Sequence, residues 1–204
     1  MRIARLPVYS MLAGAQSLCA QSLTSPPPDI HVIGRVVATA TGFGIADTSV
    51  LLRSATVPLS TLNGQVADLR GTLVDGSVPP LLDVLQGQRS ASVFTLGNNA
   101  RIGHSLALRI DDPQSLWWYA FYSPFEGFLP VVTLLPFLDG TLLLDFDTTM
   151  MIGNGMLTNG TWQGSVVIPN APILVGSPLR LQFATVTTQY SVLYVNVAAA
   201  VIGP

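Results

Sequence analysis

The residues best equipped for chemistry by type and spacing are aromatic: Leu116-Trp117-Trp118-Tyr119-Ala120-Phe121-Tyr122-Ser123-Pro124-Phe125. In an extended strand alternate side chains face opposite ways, so Trp117, Tyr119 and Phe121 share one face and Trp118 and Tyr122 the other. One face must be core. The other would stack on a sugar ring, meet a partner's apolar groove, or be buried in its turn between sheet and loop. The candidate binding patch is therefore Trp117, Trp118, Tyr119 and Tyr122.

The next candidates are carboxylates. Asp145 and Asp147 in LLLDFDTT are expected to point outward from a strand, with Leu144 and Phe146 inward. Two such groups are weak candidates for Ca²⁺, which needs about six oxygens, and no Asp-rich loop accompanies them. A solvated face is the plainer reading. Asp111-Asp112-Pro113 reads as a turn that accepts backbone hydrogen bonds. His31 and His104 match no metal spacing, and each is expected on a strand with one nitrogen satisfied. Neither a G-x-S-x-G elbow nor a phosphate cradle is present; Gly153-Asn154-Gly155 reads as a turn. Glu126 is the only Glu, so a glycosidase pair would have to borrow an Asp. No cofactor is implied, and the chain reads as non-enzymatic.

Composition narrows the function further. Hydrophobic residues make up 49% of the 204-residue chain and charged ones 10%, against about 25% charged in ordinary globular domains. Some apolar area then stays exposed to meet a neighbour, unless the bias reflects a GC-rich genome. Lys is absent, the net charge is −2, and neither residues 29–90 (four Arg, five Asp) nor residues 91–204 (three Arg, six acids) are basic. Nucleic-acid binding is excluded on that balance.

Residues 1–20 read as a signal peptide: Arg2 and Arg5 precede the apolar run Leu6 to Leu18, and Leu18-Cys19-Ala20 offers a cleavage site. A lipoprotein anchor or an ordinary N-terminal element are the alternatives. Cleavage would remove the only cysteine, Cys19, leaving stability to packing alone. Gln21 to Asp29 is a proline-rich arm or linker. The apolar stretch 116–138 is broken by Pro124, Pro130 and Pro136, so no transmembrane helix is expected.

The elements that must position these residues are strands throughout. Ile30 to Thr39, Ser49 to Arg53, Gln65 to Val74 and Leu81 to Gln86 are separated by Thr41-Gly42-Phe43-Gly44, Asp75-Gly76-Ser77 and Pro79-Pro80, with one helical turn at Leu59 to Leu62. Short strands with an internal glycine suit a small OB-like β-barrel over residues 30–89. Ser90 to Asn99 reads as a joint. Ser105 to Ile110, Leu116 to Tyr122, Val131 to Leu135, Thr141 to Phe146, Thr161 to Ile168 and the alternating Leu179 and Leu193 runs then predict an antiparallel β-sandwich over residues 97–202.

GQVADLRGTLV followed by PPLLDVLQ (Gly64 to Gln86) resembles the second half of OB-like domains in bacterial secreted proteins. GNNARIGHSLALRI, DGTLLLDFD and IPNAPILVGSPLRLQFATV resemble a C-terminal β-sandwich domain of uncharacterised secreted proteins of planctomycete-type bacteria. The shared marks are Gly97 and Gly103, the corner Ile168 to Gly176 and the strand Leu179 to Gln182. Tyr194-Val195-Asn196 stands where those proteins carry a Ser-Asn pair. The resemblance implies fold and secretion and carries no activity.

The sequence therefore predicts an all-β, secreted or cell-surface protein: a structural or adhesive component that associates with itself or with matrix, as filament or otherwise. The second expectation is an extracellular glycan-binding module that uses its surface aromatics on a polysaccharide.

Overall fold

The computed structural model describes residues 29–131, 138–189 and 191–204. The expected signal peptide and most of the proline-rich arm lie outside them, as does most of the expected strand Val131 to Leu135. The chain is all-β, and among the described residues no helix is long and apolar enough to cross a membrane.

Five strands form the first sheet: β1 (Ile30–Thr39), β2 (Gly42–Ile45), β3 (Leu51–Arg53), β4 (Val66–Leu73) and β5 (Leu81–Arg89). They run in the order β1-β2-β3-β5-β4 with β4 returning to β1, so the sheet closes on itself. All pairings are antiparallel except β3 with β5, which is parallel. Closure needs a sharp bend, and Gly71 supplies it. The register of β4 against β5 shifts there, and a side chain at that position would collide with the backbone oxygen of Asp83. A one-turn 3-10 helix at Leu59–Leu62 places both leucines in the core.

β1 explains its own near-continuous apolar sequence. Ile30 and Val32 point into the closed sheet, while His31 and Ile33 point outward and are equally buried. A strand covered on both faces has no room for alternation with polar residues. It is the wall shared by the two halves of the chain.

The second half opens with β6 (Val93–Leu96), β7 (Ser105–Asp111), β8 (Ser115–Ser123) and β9 (Glu126–Pro130). It continues with β10 (Leu138–Asp139), β11 (Thr141–Leu144), β12 (Met150–Met156), β13 (Thr161–Val167), β14 (Pro178–Thr187) and β15 (Val192–Val201). A five-stranded sheet, β10-β15-β14-β8-β12, faces a three-stranded one, β13-β7-β6, and β9 pairs with β11 beside them. Phe94, Leu106, Ile110, Trp118, Phe183 and Val195 fill the space between the two facing sheets. β11 is buried along its whole length, because it lies against the core of the closed sheet.

Two buried amides close strand edges that would otherwise lack partners. Asn196 accepts from the Phe94 N–H over 2.8 Å and donates to the Phe94 carbonyl over 2.9 Å, as a paired strand would. Gln182 accepts from Leu143 N–H at 2.8 Å and donates to the Thr141 and Val195 carbonyls at 2.9 and 2.8 Å. Both side chains are buried, and every such group needs its partners there.

Several elements depart from the sequence expectation. Thr41 to Gly44 is mostly strand β2, and the joint Ser90 to Asn99 contains β6. Gly153-Asn154-Gly155 is no turn; it lies within β12. The strand expected from Thr141 to Phe146 ends at Leu144.

Candidate functional site

β8 carries the aromatic run and sits between β14 and β12, with Trp118 opposite Thr185 on one side and Gly155 on the other. The face bearing Trp118 and Tyr122 is the one turned to the three-stranded sheet. Trp118 is 6% exposed, and its ring lies 4.2 Å from that of Trp162 and 5.4 Å from that of Phe183, centroid to centroid. Its indole Nε1 is buried without a hydrogen-bond partner. Tyr122 is half-buried against the same core. Trp118 is thus a core residue, and a sugar could not reach its face.

On the opposite face Phe121 stacks on Tyr194 at 6.0 Å and packs against the core of the closed sheet. Trp117 is 44% exposed, beside Met156 on β12, and Tyr119 is half-buried. Of the four candidate aromatics, only Trp117 offers a ring largely to solvent.

The carboxylates separate. Asp145 caps the turn after β11, accepting from the Thr148 N–H (3.0 Å) and the Thr148 hydroxyl (2.8 Å). Asp147 and Phe146 are both exposed, so the expected inward Phe146 is wrong: the strand has already ended. Among the described residues no group of three or more His, Cys, Asp or Glu is arranged to hold a metal ion. Asp112 is buried in a turn as expected, accepting from Gln114 N–H and from the hydroxyls of Ser115 and Thr185.

The strongest charged cluster centres on His31, which the sequence placed only as a strand residue. Its Nδ1 donates to Asp139 Oδ1 (2.7 Å), and its Nε2 lies 2.8 Å from Asp68 Oδ1 as an ion-pair contact without an aligned hydrogen bond. Arg70 Nη2 reaches Asp139 Oδ2 at 3.2 Å. Burial alone would depress the imidazole pKa. The hydrogen bonds and charges of Asp139 and Asp68 outweigh it and raise the value to about 9, so the ring is an imidazolium at neutral pH. Burial likewise pushes Asp139 up, but His31, Arg70 and the Gly140 N–H hold it at about 2; Asp68 is lowered by the same histidine. Each ring nitrogen faces its own carboxylate, leaving no lone pair for a metal or a substrate proton. This is a clamp joining β1 and β4 to β10. His104, by contrast, is exposed in the loop before β7 and not on a strand.

The most distinctive surface feature lies at the β12 and β13 edges. Among the described residues β12 pairs only with β8 and β13 only with β7, outside the tight turn that joins them. Neither strand carries a charge. Met151 is 57% exposed, Ile152 42% and Val167 66%. Near the joining turn Trp118 and Trp162 hold the sheets together. At the far ends a cleft of about 270 Å³ opens, lined by Tyr122, Ile152, Val166, Val167, Leu181 and Ile202 among other apolar residues. Natural edges are usually blunted by charge, proline or cover. Among the described residues neither of these two edges has a charge, a proline or a further strand to blunt it, although Gln182 and Asn196 cover edges elsewhere.

No protein-family model, curated protein or solved structure matches the chain.

Proposed function

We propose that this is a non-catalytic structural or adhesive surface protein, exported and self-associating through its open strand edges. The observation that carries the reading is the uncharged, exposed pair β12 and β13 flanking an apolar cleft. Main-chain groups on such an edge provide affinity by strand addition, and the cleft provides selectivity for side chains. Export is supported by the N-terminal sequence alone. We further read the closed sheet as an OB-like barrel, supported by its strand order and its parallel β3–β5 pair, and the facing sheets as a sandwich.

Sedimentation velocity over a concentration series tests this. The parent chain should form larger species as concentration rises, and Ile152→Lys should remain monomeric with unchanged thermal stability. A parent chain that stays monomeric throughout contradicts the reading.

A second reading, a glycan-binding module, is favoured by one observation: the exposed ring of Trp117 beside half-buried Tyr119. Trp117→Ala should then abolish retention on a polysaccharide column. Unchanged retention, or none in the parent, removes it.

A further inference from the structure

We propose that β12 is a site of reversible oxidation: a peroxide converts Met150, Met151 and Met156 of the folded chain to sulfoxides, which releases association through that edge. The release rests on the self-association reading and adds the chemistry that controls it.

The first support is where the methionines lie. Among the described residues the methionines are Met150, Met151 and Met156, and all three belong to β12. Each is more than half exposed, at 56, 57 and 58%. Methionine ordinarily fills irregular gaps in cores. Neither hydrophobic core of the described residues contains one. These thioethers therefore contribute little to the packing that holds the fold, and they are gathered where an outside reagent meets them. The described residues contain no cysteine, so no thiol among them competes for the oxidant.

The second support is their register. Among the described residues β12 is bonded on one side only, to β8, where Met150 lies opposite Tyr122, Met151 opposite Phe121 and Met156 opposite Trp117. Met151 and Met156 are five residues apart, roughly 16 Å along a strand. A chain that adds to this edge along its length meets thioethers at both ends. An apolar thioether suits such a contact. A sulfoxide does not, because its oxygen is a hydrogen-bond acceptor that loses water on burial. Oxidation thus turns an uncharged apolar edge into a polar one without touching the core.

In the forward step a sulfur lone pair attacks one peroxide oxygen. The S–O bond forms as the O–O bond breaks, and the departing oxygen leaves as water after taking up the second proton. Sulfur loses two electrons and the peroxide gains them. Both sulfoxide epimers form at an exposed sulfur, so reversal takes one thiol-dependent reductase for each. In that reversal two thiols become a disulfide and the oxygen leaves as water.

The test treats the full-length chain, carrying Cys19→Ser to remove its only thiol, with hydrogen peroxide. Oxygen gain at each methionine is followed by peptide mass spectrometry in dilute solution, beside the urea midpoint and sedimentation velocity. The three β12 methionines should oxidise within about fivefold of their rates in the urea-unfolded chain. The midpoint should stay unchanged, larger species should fall to monomer, and the two reductases should restore them. Replacing all three by leucine (Met150→Leu, Met151→Leu and Met156→Leu together) keeps the apolar volume. That variant should assemble as the parent does, before and after peroxide. Slower oxidation of the folded chain than that overturns the site. Release of the leucine variant by peroxide overturns the assignment to β12. A parent that stays assembled once all three are sulfoxides overturns the release and leaves edge association standing. A parent that is monomeric before any treatment overturns edge association and the release together.

Discussion

His31 Nδ1 donates to Asp139 Oδ1 over 2.7 Å although 108 positions separate them in sequence. The contact fastens β10 to the closed sheet, and Thr141 repeats the fastening by donating its hydroxyl to the His31 carbonyl at 2.7 Å.

That clamp gives stability a defined pH dependence. The folded-state pKa of His31, about 9, lies above its ordinary 6.5. Its contribution is therefore complete below pH 6.5 and is lost as pH rises through about 9. Asp139, at about 2, lies below its ordinary 3.8, so its contribution is present above that and lost as pH falls toward 2. The urea midpoint should be highest between about pH 4 and 6.5. His31→Gln should cost about 1.5–3 kcal/mol at pH 6, because it removes the cation from Asp68 and leaves Asp139 with Arg70 alone. The variant should also lose the decline toward pH 10. An unchanged decline would place its origin elsewhere.

Trp118 and Trp117 are neighbours with opposite environments, and their replacement should separate by magnitude. Trp118→Ala removes the ring between Trp162 and Phe183 and should cost about 3–5 kcal/mol in urea unfolding. Trp117→Ala should cost less than about 1 kcal/mol. Acrylamide quenching gives the matching readout: one accessible tryptophan, lost in the Trp117 variant alone.

Gln182→Ala should leave the Leu143 N–H and two carbonyls buried without partners. A loss of about 2–3 kcal/mol is expected, with amide exchange at Leu143 accelerated toward that of surface strands. Stability within about 0.5 kcal/mol of the parent would mean water replaces the amide.

The sequence carried much of the secondary structure but little of the site. The β-branched run Ile30 to Thr39 marks β1 although it does not alternate, and Leu59 to Leu62 forms the one turn expected there. β12 was obscured because its glycines resemble turn signals. Gly155 is there for packing: a side chain at that position would meet the Trp118 ring at 3.0 Å. A ring on one strand that selects glycine on the next leaves no trace in local periodicity. The same limit hid the His31 cluster, since periodicity shows which face a residue takes and not which distant carboxylate meets it. Asp145 was misplaced for the opposite reason, its alternation continuing past the strand's end into a turn held by Thr148.

In the proposed function, the open edges at β12 and β13 are what make copies of this protein assemble. Negative-stain microscopy with mass photometry of the purified chain, beside Ile152→Lys, tests it most directly. Filaments and a concentration-dependent ladder of masses are expected for the parent, with monomers alone for the variant. A sharp monomer for the parent at every concentration, or filaments undiminished in the variant, would contradict it.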